Sequence, residues 1–163
     1  MYANLAYSKS RLPNEAHGEF WQWYPATFTV SETEKSDLVG HPIDEDDPEG
    51  WQPIYFHCAE QFMIEQKQLA RLTKGFDAAS WDEIKSPVVV AGNMAKFGQN
   101  PRLRSLLLDT GDRLLAEAAS LDRVWGIGFT AREAMAGQNR ERWGESKLDK
   151  AFLLMNGREG FGR

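Results

Sequence analysis

The clearest helical pattern runs from Cys58 to Leu72. It contains no Gly or Pro, and Ala59, Phe62, Met63, Gln66, Leu69 and Ala70 recur at the i, i+3, i+4, i+7 spacing of one apolar face, with Gly75 as the stop. Further helix starts follow. Ser80-Trp81-Asp82-Glu83 has the form of a capping box, and Ser86-Pro87 and Asn100-Pro101 place Pro where a first helical turn tolerates it. The third start predicts a helix through Leu106-Leu107, stopped by Gly111, and Asp112 begins another through Leu114-Leu115 to Ala118. From Glu145 to Met155, Leu148, Ala151, Phe152 and Met155 share a face, and Asn156-Gly157 closes the element.

The N-terminal third reads differently. Residues 1–18 hold no clear period and read as an extended or frayed arm. Glu19 to Val30 is aromatic and β-branched but interrupted by Pro25, which predicts two short strands or one kinked strand. Residues 31–53 are polar and acidic and read as a loop, with room for a short strand near Leu38-Val39; Ile54-Tyr55-Phe56 reads as a last short strand. The expected fold class is therefore mainly α: a single compact helical domain over residues 19–157 with a small N-terminal β element, flanked by the arm and a tail at 158–163.

Composition narrows the classes. The chain has 163 residues and a formal charge of −5, which argues against broad coating of nucleic acid or membrane. One cysteine, Cys58, forbids an internal disulfide and a Cys-rich zinc site. No run reaches the ~18 apolar residues of a membrane span, and the N-terminus lacks a leader pattern, so the cytoplasm is the expected location. The acidic run Asp44-Glu45-Asp46-Asp47 lacks calcium-loop spacing, and His17, His41 and His57-Cys58 show no ligand spacing, so neither a metal nor a cofactor is expected.

Three clusters carry candidate chemistry. Glu60 and Lys67 lie two turns apart on one stripe of the first long helix, with Glu60 at its start, where the macrodipole favours a charged carboxylate. A carboxylate and an amine on a partly apolar stripe suit acid–base or imine chemistry; from spacing alone, two ordinary surface charges are the commoner meaning. Asp122-Arg123-Val124-Trp125-Gly126-Ile127-Gly128 joins a flat ring to glycines that admit a close backbone, either of a ligand or of a packed turn. Ala95-Lys96-Phe97-Gly98-Gln99-Asn100 is a helix end whose polar side chains suit a phosphate or ribose.

Taken in order, Tyr24-Pro25-Ala26-Thr27-Phe28, Cys58-Ala59-Glu60-Gln61-Phe62-Met63 with Gln66-Lys67, Lys96-Phe97-Gly98-Gln99-Asn100, Leu106-Leu107-Leu108-Asp109-Thr110-Gly111 and Asp122-Arg123-Val124-Trp125-Gly126-Ile127-Gly128 resemble the NADAR superfamily, also called YbiA-like, from about Phe20 to Met155. The resemblance implies a mainly α fold and hydrolysis of an N-glycosidic bond. The implied substrate is either a riboflavin-pathway aminopyrimidine ribose phosphate or an ADP-ribosylated guanine, the latter a base in nucleic acid. Carried over, it implies Glu60, Lys67 and Asp122 as catalytic and Tyr24, Gln61, Asn100, Trp125 and Gly126 as substrate-binding. Lys67 either stabilises the departing base or attacks the anomeric carbon to give an imine, and the resemblance tips the expectation to the imine. Arg102, Arg104 or Arg123 are candidates for the phosphate. Two departures stand out: Trp21-Gln22-Trp23 where the family often has Ser-Asn-Phe, and Ser146-Lys147-Leu148-Asp149-Lys150 where it has an Asn-Leu-Leu-Gly-Lys-like run. The alternatives are a non-catalytic module that holds ADP-ribose or NAD and a small helical interaction domain. Oligomeric state is left open.

Overall fold

A computed structural model describes residues 5–8, 18–40, 53–111, 113, 115–136 and 140–157. It is mainly α, as expected, and its contacts gather in two units: residues 25–101, and residues 1–24 with 102–163.

The unit of residues 25–101 contains β2 (Phe28–Val30), α1 (Glu32–Val39), β3 (Ile54–Phe56), α2 (Ala59–Leu72) and α3 (Ala78–Gly98). β2 and β3 pair antiparallel, with Phe28 opposite Phe56 and Val30 opposite Ile54. This register puts Phe28 and Phe56 on the face that meets α2. Their rings stack at 5.6 Å, and Phe56 meets Phe62 edge-on at 5.1 Å, a favoured aromatic geometry. Ala70, Trp81 and Val88 complete this core. α3 presses its backbone against the same ring: a Cβ on Gly92 would lie 2.6 Å from Phe62 Cδ1.

Three expectations are corrected in this unit. Glu19 to Val30 does not form two strands; only Phe28–Val30 is extended, and Gly18–Phe20 is a 3-10 turn. The loop expected from residue 31 begins instead with α1. Ser31 caps it through a reciprocal box with Glu34, and Gly40 ends it in the left-handed conformation at φ 64°. The sequence Glu32-Thr33-Glu34-Lys35-Ser36-Asp37 lacks an apolar stripe, so periodicity misses it and only the cap marks it. Finally, Ser86-Pro87 starts nothing. α3 begins at Ala78, where the Asp77 carboxylate accepts the Ser80 N–H at 2.7 Å, and runs through Pro87, which faces solvent. The rest of the expected loop, residues 41–52, lies outside the described residues.

The other unit contains β1 (Leu5–Ser8), most of α4 (Pro101–Leu108), β4 (Leu115–Ala118), α5 (Ala131–Met135) and α6 (Lys147–Gly157). The helix expected to reach Ala118 is a strand. β4 is buried at all four residues and pairs parallel with β1, Leu5 opposite Leu115, inside the segment read as an arm. A short apolar run fits a buried strand as well as a helix, and only the distant partner decides. Asp112 and Leu114 lie outside the described residues. α6 buries Leu148, Ala151, Phe152 and Met155 as expected, and Phe152 meets Phe20 at 5.8 Å. Among the described residues, no helix is long and apolar enough to cross a membrane.

Candidate functional site

α2 places two of the expected catalytic residues. Glu60 lies in its first turn and Lys67 two turns on, both half-buried with Met63 between them. Seven residues of helix separate the two Cα atoms by ~10 Å, enough for a sugar ring to lie along the stripe. The Lys67 amine sits 5.6 Å from the centre of the Trp81 ring, which holds an ammonium by its quadrupole. Gln61, one residue from Glu60, has its amide committed: its Oε1 accepts the His57 N–H at 2.9 Å and its Nε2 donates to Glu65 at 3.1 Å.

Asn100 closes α3 in the same unit. Its Nδ2 donates to the carbonyls of Lys96 (2.7 Å) and Thr27 (3.1 Å). Its neighbour Gln99 takes the Thr29 N–H on Oε1 at 2.8 Å and gives Nε2 to the Thr29 carbonyl at 2.7 Å. The polar end of the Lys96–Asn100 motif therefore fastens α3 to β2.

Tyr24, Asp122, Trp125 and Gly126 belong to the other unit. The Arg102 guanidinium donates to the Tyr24 hydroxyl (3.4 Å) and the Glu19 carboxylate (3.1 Å), which raise its pKa above the ordinary guanidinium value. Asp122 Oδ1 accepts the N–H groups of Val124 (3.0 Å) and Trp125 (2.9 Å), the geometry of an Asx turn. Gly126 is buried against β4: a Cβ there would lie 2.8 Å from the Glu117 carbonyl and 2.9 Å from Ala119. Its missing side chain admits the protein's own strand. The Arg123 guanidinium is exposed and donates to the Arg142 carbonyl at 2.8 Å.

Two buried polar residues, Gln66 and Asn93, carry no chemistry in the sequence reading, while a third, Lys96, lies in its last candidate cluster. Gln66 is 0 % exposed on the core face of α2, and its amide has no hydrogen-bond partner among the described residues. Asn93 and Lys96 are equally buried on α3; Asn93 Nδ2 donates to the Val89 carbonyl at 2.8 Å, and the Lys96 amine lies 5.0 Å from the Phe97 ring. The signal was present as polar residues on otherwise apolar helix faces. The departure at 146–149 also acquires a physical content. Ser146 adopts φ 51°, a conformation Asn tolerates better than Ser, and its buried hydroxyl has no partner among the described residues.

The NADAR domain model matches residues 64–161, more than half of the chain, and the chain belongs to that family. The match includes Lys67, Asn100, Asp122, Trp125 and Gly126; Tyr24, Glu60 and Gln61 precede it. Over 96 residues the chain is 39% identical to an N-glycosidase of Acanthamoeba polyphaga mimivirus, covering 59% of this chain and 55% of that protein. Over 48 residues it is 38% identical to an N-glycosidase of Nostoc punctiforme, covering 29% of this chain and 31% of that protein. The chain thus spans about half the length of one curated relative and about a third of the other.

Proposed function

We propose that this chain hydrolyses the N-glycosidic bond of a ribosylated base, either an aminopyrimidine ribose phosphate of the riboflavin pathway or an ADP-ribosylated guanine. Membership of the NADAR family, with two relatives named as N-glycosidases, is the observation that carries the reading. The α2 stripe supplies its chemistry. Breaking such a bond builds positive charge at the anomeric carbon and negative charge on the departing base, so a carboxylate belongs beside the sugar. Glu60 takes that part. Lys67, as the free amine, adds to the anomeric carbon of the ring-opened riboside, the bond from that carbon to the base breaks as the base takes up the protons the amine gives up, and water hydrolyses the resulting imine to release the sugar and return the amine; at rest the amine lies over Trp81. Tyr24 and Trp125 are assigned to the base by their flat faces, and Asp122 acts by shaping the Trp125 turn. Gln61, Asn100 and Gly126 are assigned to substrate binding by the resemblance; the amides of the first two also hold backbone groups, and Gly126 also admits β4. No metal or cofactor takes part in this scheme, and a protein with one cysteine suits the reducing cytoplasm.

The test is a substrate panel: a ribosylated aminopyrimidine phosphate and ADP-ribosylated guanosine, each incubated with the full chain and quenched with borohydride. Release of ribose phosphate or ADP-ribose, with the added sugar mass on Lys67, is the expected result. Saturable ADP-ribose binding without turnover would replace the enzyme by a binding module. Turnover without an adduct would leave Lys67 only its charge.

A further inference from the structure

The first turn of α6 meets two other segments of its unit. Lys147 N–H donates to the Val124 carbonyl at 3.0 Å and Leu148 N–H to the Trp125 carbonyl at 3.3 Å. These are donors that an α-helix leaves unsatisfied at its start. Just before them, Gly144 N–H donates to Ile127 O (2.9 Å) and Glu145 N–H to Arg123 O (2.7 Å). A Cβ on Gly144 would overlap the Arg123 backbone. Residues 144–148 are therefore laid against residues 123–127.

The second segment is reached by a side chain. Asp149 Oδ1 accepts the Glu117 N–H at 3.1 Å, with Asp149 3 % and Glu117 1 % exposed. The Glu117 carbonyl in turn accepts the N–H groups of Ala119 (3.0 Å) and Ile127 (2.9 Å), and it fills the space left by the absent Gly126 side chain. One residue of β4, Glu117, thus links α6 through its N–H to the Trp125–Gly126 segment through its carbonyl. A buried backbone N–H needs an acceptor, and a carboxylate makes a stronger, shorter bond than a neutral group.

We propose that Asp149 is a positioning residue for the reaction: its carboxylate fixes Glu117, and the Glu117 carbonyl fixes the segment that carries Asp122, Trp125 and Gly126. This inference rests on the N-glycosidase reading. A competing role exists, because an acidic residue in a first helical turn also interacts with the macrodipole. The two roles differ in what they need. The macrodipole needs a charge near the helix start, whereas Glu117 needs an oxygen at one place.

Three variants of the full chain separate them. Asp149→Asn keeps an oxygen in place and removes the charge; Asp149→Glu keeps the charge and moves the oxygen; Asp149→Ala removes both. Amide hydrogen exchange is followed by mass spectrometry, and kcat and KM are measured on the two substrates named above. Asp149→Ala and Asp149→Glu are expected to speed exchange about tenfold or more at residues 117–127, with the α2–α3 segment unchanged. They are expected to lower kcat up to about 10²-fold with little change in KM, the size of effect that a ~1 Å misplacement produces. Asp149→Asn is expected to stay within about threefold of the parent in both readouts. An Asn variant as impaired as Ala, a Glu variant like the parent, or exchange that rises evenly over the whole chain would each overturn the proposal. Should Asp149→Ala fail to fold, the Asn and Glu variants carry the comparison. A parent that cleaves neither substrate removes the enzymatic reading, while the exchange pattern still decides whether Asp149 holds the segment.

Discussion

The α2 stripe and the Asp122–Gly128 segment both bear residues of the family's motifs, but they hold them in opposite ways. In α2 the backbone satisfies itself through the helix ladder, and periodicity alone sets Glu60, Met63 and Lys67 on one line. The side chains are placed without having to build the place. In the 122–128 segment the backbone is irregular, and its groups need partners from elsewhere. Asp122 supplies one oxygen that accepts two N–H groups, Gly126 supplies room, and the first turn of α6 supplies donors. A motif residue on a regular element is therefore a candidate for chemistry. One on an irregular element is first a candidate for architecture.

Substitutions can break or sharpen that contrast. The largest effect is expected in turnover. Glu60→Gln keeps size and hydrogen bonding, should fold as the parent does, and should lose about 10²–10⁴-fold in activity on whichever substrate of the panel is cleaved. Turnover within about twofold of the parent would remove Glu60 from the reaction. Next comes Asp122, where charge and acceptor can be separated. Asp122→Ala strips two N–H groups of their acceptor and should cost about 1–3 kcal/mol in denaturant unfolding. Asp122→Asn should recover most of that stability and most of the activity. An Asn variant that is stable but inactive would move Asp122 to the chemical side of the contrast.

Gly126→Ala tests the architectural side alone. Its Cβ would come against the Glu117 carbonyl and Ala119, and overpacking of this kind typically costs about 1–3 kcal/mol. A neutral result would mean that β4 and the turn can separate freely. The smallest effect belongs to the helix caps. Asp77 is held below its ordinary 3.8 chiefly by the Ser80 N–H, and Glu133 below its ordinary 4.5 chiefly by the Thr130 N–H. Groups lowered on folding add stability above their unfolded values and lose it as pH falls through the folded ones. Acid titration followed by circular dichroism should therefore show a slightly weaker pH dependence in Asp77→Ala than in the parent at pH values below about 4. An unchanged profile would leave the cap without a role in acid stability.

The same contrast explains what was legible in the sequence. α2, α4 and α6 were readable because apolar periodicity and stop residues agree locally. α1 has a capping box but no apolar face, so a reader of periodicity passes over it. α3 carries a Pro that mimics a start, and the exposed position that lets the helix continue past it is a tertiary fact. β4 was misread because its four residues fit two elements, and the choice is made by Leu5–Ser8, more than a hundred residues earlier. At the site, the residue types of the α2 stripe could be named from spacing. The engagement of Gln61 and Asn100 with backbone groups could not, because those bonds join segments that no local pattern connects.

The Gln99 side chain has a consequence for how the protein behaves in a crowded solution. A two-stranded ribbon has two outer rims, and an open rim is a template on which another chain can add a strand. On β2, the amide of Gln99 occupies that template: it accepts from the Thr29 N–H and donates to the Thr29 carbonyl, as a passing peptide would. Asn100 does the same for the Thr27 carbonyl. Two consecutive side-chain amides thus act as a surrogate strand, and they guard a short aromatic ribbon against self-association.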